Sequence, residues 1–443
     1  MQTIYWRAQA TAISFLAFAA ALAADTPAAV LEVDAAVKAF QAGRYSEAEA
    51  IDRKTLAILE QTEPTGGPQT AAYLNNLASV YSSEGKYAAA EEHYRKALGI
   101  WQRIPGSEAS VALALNNLGV LLRRQARYSE AEIVDRQALK MFEEHLGPEH
   151  EKTAVALNNL GALFSMQNRL AEAEAHLQRG LAILEKAQGK DDPEIAMALS
   201  GLADLYRKQG KNEAAQQLFE RALGMIERAL GPMNPRAAPI LNNLSAVYEL
   251  QHKYKQAEQS VQRAIRIFEQ TGGPSHPDLA AALINLAALD FDRHRYKQAI
   301  ELDRRALKIN ESSLGPVHPV IATTLNNLGA ISFALHNYPE AEALFRQALT
   351  TWENSNWPNR ALMGDTLRNL GMVYDKQRRD SDALEYLKRA IAVHETVLGP
   401  NSPRLIADLD AYARVLRRAN DYAGAEQAAV RALGIQVRNS LHP

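Results

Sequence analysis

Seven asparagines recur at one place in the chain's repeating pattern: Asn76, Asn117, Asn159, Asn243, Asn285, Asn327 and Asn369. Each holds the third position of a Leu-Asn-Asn-Leu motif or a degraded copy of it. Intact copies begin at Leu74, Leu115, Leu157, Leu241 and Leu325, and degraded ones at Leu199, Leu283, Leu367 and Leu409. A carboxamide both donates and accepts hydrogen bonds. A row of them could therefore hold an extended peptide backbone without demanding a side-chain sequence. Asparagine is a mediocre helix former, because its side chain competes for backbone bonds, so its repeated use inside helices needs a reason. Either the amides line a groove, or each bonds across to the neighbouring repeat; both roles could coexist. The asparagine before it (Asn75, Asn116, Asn158, Asn242, Asn326) is expected to serve packing or solvent. Gly201 and Ala411 stand where the second asparagine is missing.

Other residues with chemical potential lead elsewhere. Cation pairs Arg123-Arg124, Arg207-Lys208, Arg378-Arg379 and Arg417-Arg418 mark helix ends. They suit the negative end of a helix dipole; if any act on an acidic peptide, Arg124 and Lys208 are the expected groove edges. His150, His276 and His318 share one repeat position, but Asp192, Asn234 and Ser402 fill it elsewhere. That makes it a helix-cap slot rather than a metal site, and no metal or other cofactor is expected. No nucleophile elbow, zinc-protease or phosphate-loop motif is present. Paired glutamates such as Glu91-Glu92 lie on helix surfaces with no apolar pocket to shift them. Net charge is -2, which gives no basic footprint for nucleic acid. The chain has no cysteine, excluding disulfides and thiolate chemistry.

The elements that must position these residues repeat every 42 residues, after a single step of 41. A fixed period of this size means stacked supersecondary units. Each unit reads as helix A, a tight turn, helix B and a longer loop. Helix B carries a signature with one alanine in all ten units: Ala48, Ala90, Ala131, Ala173, Ala215, Ala257, Ala299, Ala341, Ala383 and Ala425. A small residue, or Thr55 in the first unit, follows seven later. Axes packed ~8–10 Å apart need such small contacts. The A–B turn carries Gly43, Gly85, Asn168, Gly210 or Asn420, suited to a left-handed stop. Inter-unit loops such as Leu146-Gly147-Pro148 lead to caps and prolines, for example Asp192-Pro193 and His318-Pro319, that restart helix A.

Small residues at these offsets resemble tetratricopeptide repeats. The 42-residue period, the Leu-Asn-Asn-Leu motif, the Tyr-x-Glu-Ala-Glu helix and the Leu-Gly-Pro-x-His-Pro loop resemble the kinesin light chain type of that family, over about residues 28 to 443. The resemblance implies an all-α, right-handed superhelical α-solenoid of about ten helix-turn-helix repeats. It also implies groove contacts by the asparagine at this motif position. The chain departs from kinesin light chain in lacking a heptad coiled coil and in beginning with an export-type segment, which argues against a motor-adaptor role. The Lys set that a two-carboxylate clamp would need is absent, so no such clamp is expected.

Residues 1–23 read as a signal peptide: Arg7, an apolar run from Ala10 to Ala24, then Ala21-Leu22-Ala23. The run is short for a span, so cleavage and export to the periplasm or outside are expected. Residues 24–64 form a linker and capping repeat, 65–400 the tandem array, and 401–443 a C-terminal capping repeat with a polar outer face. Trp352 and Trp357 flank the one irregular loop. The expected function is a non-enzymatic protein–protein interaction scaffold that holds an extended peptide on its concave face, as a monomer. Alternatives are a self-assembling envelope subunit, or an accessory module of a separately encoded enzyme or sensor. On the groove reading, Asn159→Ala with Asn243→Ala should leave melting nearly unchanged.

Overall fold

The computed structural model describes residues 35–62, 66–187, 192–355 and 360–441. These residues form twenty helices and nothing else regular. The first pair is α1 (35–41) and α2 (Tyr45–Thr62). Then come α3 (Pro68–Ser83) and α4 (Tyr87–Trp101), α5 (Glu108–Arg124) and α6 (Tyr128–His145), α7 (Glu151–Met166) and α8 (Leu170–Ala187), and α9 (Pro193–Lys208) and α10 (Asn212–Leu230). The later pairs are α11 (Ala237–Leu250) and α12 (Tyr254–Gly272), α13 (Pro277–Asp292) and α14 (Tyr296–Leu314), α15 (Pro319–Ala334) and α16 (Tyr338–Asn354), α17 (Ala361–Lys376) and α18 (Asp380–Leu398), and α19 (Arg404–Arg418) and α20 (Tyr422–Leu441). The fold is all-α, a series of helix-turn-helix pairs. The chain divides into two compact units, with the boundary after Leu289 inside α13. The export segment, the start of the first repeat and Trp357 lie outside the described residues.

Small residues set the packing. All ten signature alanines are 0–1% exposed. A Cβ added at Gly161 would sit 2.6 Å from Leu177 Cγ, and one at Gly371 2.6 Å from Leu387 Cγ. At these positions helix A meets its own helix B at a distance that leaves no room for a larger side chain. Buried leucines fill the spaces on either side; Leu160, Phe164, Leu177, Leu202 and Leu205 form one such cluster across α7, α8 and α9.

Every A helix ends alike. The amide two residues past its last turn donates back five residues, as in Arg127 N–H to Leu122 C=O (2.9 Å) and Arg379 N–H to Tyr374 C=O (2.9 Å). The residue between is left-handed in all ten turns. Five of these are the Gly or Asn residues expected from sequence. The others are Ala126, His252, His294, His336 and Arg378, with φ of 59–62°. The three histidines gain a local contact, each Nδ1 lying 2.8–3.0 Å from the hydroxyl of Tyr254, Tyr296 or Tyr338. The cap slot forms as well: Asp192 accepts from Glu194 N–H (2.7 Å), His150 from Lys152 N–H (3.1 Å) and His318 from Val320 N–H (3.2 Å).

Candidate functional site

The paired asparagines form a ladder between repeats. Asn117 Nδ2 donates to Asn75 Oδ1 (3.2 Å), Asn159 to Asn116 (2.9 Å), Asn285 to Asn242 (2.9 Å) and Asn369 to Asn326 (3.1 Å). The second asparagine of one repeat thus reaches the first asparagine of the repeat before it. First asparagines face their own helix B, where Asn158 Oδ1 would lie 2.3 Å from a Cβ at Gly180. Both members are therefore structural, and the first is not a solvent residue. Asn76, Asn117, Asn159, Asn243, Asn285, Asn327 and Asn369 are all buried, none more than 3% exposed. The inter-repeat bond forms at Asn117, Asn159, Asn285 and Asn369. Their hydrogen-bonding capacity is only half used, however. Oδ1 of Asn76, Asn117, Asn285 and Asn369 has no partner among the described residues, nor has Nδ2 of Asn75, Asn116 and Asn242. Asn159 is more fully used. Its Oδ1 accepts from Arg123 Nη2 (3.1 Å), and its backbone carbonyl accepts from Arg123 Nη1 (2.5 Å).

The two cations named as groove edges, should any act there, are both engaged within the chain. Arg124 reaches 154 residues forward to make a bidentate pair with Asp278 (2.9 and 3.2 Å), its side chain 9% exposed. Burial opposes the charge on each partner, but the mutual attraction wins: Arg124 is pushed higher still and the Asp278 carboxyl is held below its ordinary value. Around this pair, the turns of the first repeats close on the loops that precede α11 and α13. His276 is stacked between Tyr45 (5.9 Å) and Phe268 (5.3 Å). Gly43, left-handed at φ 73°, would bring a Cβ to 2.6 Å from Thr271 and 2.8 Å from Pro235. Burial pushes the Tyr45 hydroxyl up to about 12. Lys208 is likewise committed, donating to Ser165 Oγ (2.9 Å) and to the Ser165 carbonyl (3.2 Å), beside Asp204 (3.6 Å). An attraction for acidic peptides cannot rest on these two residues, because each already neutralises or caps a neighbour.

A second inter-repeat contact was not anticipated from the sequence. The basic residue that follows four of the left-handed turns clasps the glutamate next to the signature alanine of the preceding repeat's helix B. Lys86 meets Glu49 (3.0 Å), Arg127 meets Glu91 (2.6 Å), Arg169 meets Glu132 (2.8 Å) and Arg379 meets Glu342 (3.2 Å). The same cation lies over an aromatic ring of its own helix A, as Arg169 over Phe164 (4.1 Å) and Arg379 over Tyr374 (4.4 Å). The recurrence of Lys or Arg at this offset was the available signal.

A family model described as tetratricopeptide repeat matches nine overlapping stretches, beginning with 27–103, 69–144 and 110–186 and ending with 320–396 and 362–436. The chain belongs to the tetratricopeptide repeat family. No curated protein matches it. Among solved structures, BtubC (BKLC) from P. vanneervenii is similar, with a TM-score of 0.41 and 22% identity over 52% of this chain and 90% of that one. A kinesin light chain-type protein of Podosopora anserina with nearly identical repeats has a TM-score of 0.39 and 19% identity, over 46% and 97%.

In the C-terminal unit the tetratricopeptide ladder is interrupted by charge. Arg368 stands where other repeats have the first asparagine. It donates to Asp365 (2.7 Å) and to Asp408 (3.0 Å), and all three are at most 3% exposed. His394, in place of the usual large apolar residue, lies with Nδ1 2.5 Å from Asp408 Oδ2 and Nε2 3.0 Å from the Ala361 carbonyl oxygen. Both ring nitrogens face oxygen atoms. Arg404 completes the set on Asp365 (2.8 Å). Burial still pushes the Asp365 carboxyl above its ordinary value. The cluster is a structural charge network. Its sequence signal was four coordinated departures from the repeat consensus, at 365, 368, 394 and 408. Trp352 is 4% exposed in the core that these helices share.

Proposed function

We propose that this array is a non-enzymatic protein–protein interaction scaffold that takes up an extended peptide segment along its asparagine rows. Tetratricopeptide arrays generally serve protein–protein interaction, and the family is typically non-enzymatic. One observation carries the finer reading: the same atom, Oδ1 of the second asparagine, is left without a partner at Asn76, Asn117, Asn285 and Asn369. A buried carboxamide oxygen without a partner is costly, and on this reading a peptide N–H satisfies it where the chain wedges between neighbouring A helices, since these oxygens are closed off in the array alone. Neighbouring A helices sit ~10 Å apart, and three residues of extended chain span ~10 Å, so one amide in three could meet successive rungs. Export by residues 1–23 belongs to the same proposal and places the partner outside the cytoplasm.

A pair of variants tests the proposal. Asn75→Ala breaks a rung but keeps the Asn117 oxygen; Asn117→Ala breaks the same rung and removes that oxygen. A displayed library of ten-residue peptides would be selected on the mature protein and the best binder measured by fluorescence anisotropy. Asn117→Ala should weaken binding roughly tenfold more than Asn75→Ala at equal loss of stability, about one charge-free hydrogen bond. Equal weakening by the two, or no enriched peptide, would sink the reading.

A further inference from the structure

The last helix breaks the charge pattern of the nine B helices before it. Five residues after the signature alanine those helices carry a polar side chain, such as Arg53, Arg95, Arg136 or Arg346; α20 has Val430. Twelve residues after it, eight of the nine carry glutamate, such as Glu143, Glu227 and Glu353; α20 has Val437. The position eight after the alanine is leucine or isoleucine throughout, and elsewhere the next helix A covers it. Leu181 packs against the cluster holding Leu202 and Leu205, and Ile391 against the one holding Leu405 and Leu409. Its counterpart in α20, Leu433, is 60% exposed, with Val430 at 63% and Val437 at 49%. Spacings of three and four put the three on one stripe. The exposed side of this helix therefore carries an apolar stripe, flanked by exposed Gln427, Gln436 and Arg438.

We propose that this stripe pairs with the same stripe of a second copy, the two α20 helices running antiparallel about a two-fold axis between Leu433 and Gly434. The stripe is self-complementary in that register. Val430 lies across from Val437 of the second copy, and Leu433 across from Gly434, where an added Cβ would touch nothing within 4 Å. Charge argues for the same occupant. In other repeats the acid one residue after the alanine pairs with the arginine four later, as Glu91 with Arg95 (2.7 Å) and Glu132 with Arg136 (2.8 Å). Val430 removes that arginine, and Glu426 makes no ion pair among the described residues. At ~1.5 Å per residue, Glu426 lies ~11 Å from the axis and Arg438 ~7 Å on its other side. Antiparallel pairing brings Glu426 within ~4–5 Å, along the helix, of the second copy's Arg438, and the contact occurs twice because the interface is isologous.

Val430→Arg with Val437→Glu restores the side chains that Arg346 and Glu353 hold in another repeat, so it keeps the helix and its inner face. Light scattering coupled to size exclusion on the mature protein should show a concentration-dependent dimer, and the double variant should be monomeric with unchanged helical circular dichroism. Because the chain has no cysteine, Leu433→Cys should oxidise to a crosslinked dimer, whereas Tyr422→Cys, far from the axis, should not. A wild type monomeric up to ~0.1 mM, a dimer that survives the double variant, or a mass that grows without limit would each overturn the proposal.

Discussion

The asparagine ladder around α5 and α7 and the charge network around α17 and α19 solve one problem in opposite ways. Both place polar side chains between consecutive A helices at equivalent repeat positions. In the N-terminal unit the rung itself is an uncharged amide pair with one buried cation beside it: Asn159 gives one hydrogen to Asn116 and takes one from Arg123. In the C-terminal unit Arg368 replaces the amide, and two carboxylates and a histidine must accompany it. Buried carboxyls show the same contrast. Asp408 is held by Arg368 and His394, while neither oxygen of Asp135 in α6 has a hydrogen-bond partner, and burial pushes that group up to about 7. A neutral rung can be lost one bond at a time. An ion network stands or falls together, because each member removed leaves an opposite charge uncompensated in the core.

The largest effect should come from breaking that network. Arg368→Ala should cost ~3–5 kcal/mol, read as an early transition of the C-terminal unit in urea unfolding. Replacing the set together, with Asp365→Thr, Arg368→Asn, Asp408→Thr and His394→Trp as at the positions of Thr323, Asn326, Thr324 and Trp352, should be neutral or stabilising by ~1–4 kcal/mol. If the single and the combined replacements cost the same, the members act independently and the contrast fails.

Asp135 probes the carboxyl that lacks a bonded cation. Burial pushes its carboxyl up to about 7, well above the ordinary aspartate value, so between the two the native state binds more protons than the unfolded chain. Its contribution is fully present below the unfolded value, is lost as pH rises toward about 7, and levels off beyond. Asp52, pushed by burial up to about 8, adds the same slope over a wider range. Asp135→Leu, copying Leu177 at the equivalent position, should stabilise at pH 8 by ~1–4 kcal/mol and flatten the pH dependence of urea midpoints. A variant whose midpoints keep the wild-type slope would show Asp135 already ionised at low pH.

A single rung should matter less. Asn159→Ala deprives Asn116 and Arg123 of buried partners and should cost ~1–3 kcal/mol. The sequence-based expectation for this position was almost no change in melting, so thermal unfolding of the single variant separates the two readings. The smallest effect belongs to the surface clasp. Glu132→Gln weakens the contact with Arg169, whose side chain is 32% exposed, and should cost ~0.2–1 kcal/mol, fading with added salt.

Most of the fold was legible in the chain itself. The 42-residue period, the invariant alanines and the cap residues are local rules that hold in every repeat, so pattern alone fixed the helices, their turns and their pairing. Asn76 and its counterparts were legible as a set, but their direction was not. Whether an amide faces a groove or the next repeat depends on where the next helix sits. The five left-handed turns at Ala126, His252, His294, His336 and Arg378 were missed because the backbone bond to the preceding helix sets their geometry whatever the side chain. Only tertiary structure could join Arg124 to Asp278. Their separation of 154 residues matches no local spacing, and arises because small angular offsets between successive pairs accumulate until two distant edges meet. Repetition determined what each unit is. The summed rotation of units decided which of their residues are spent on one another.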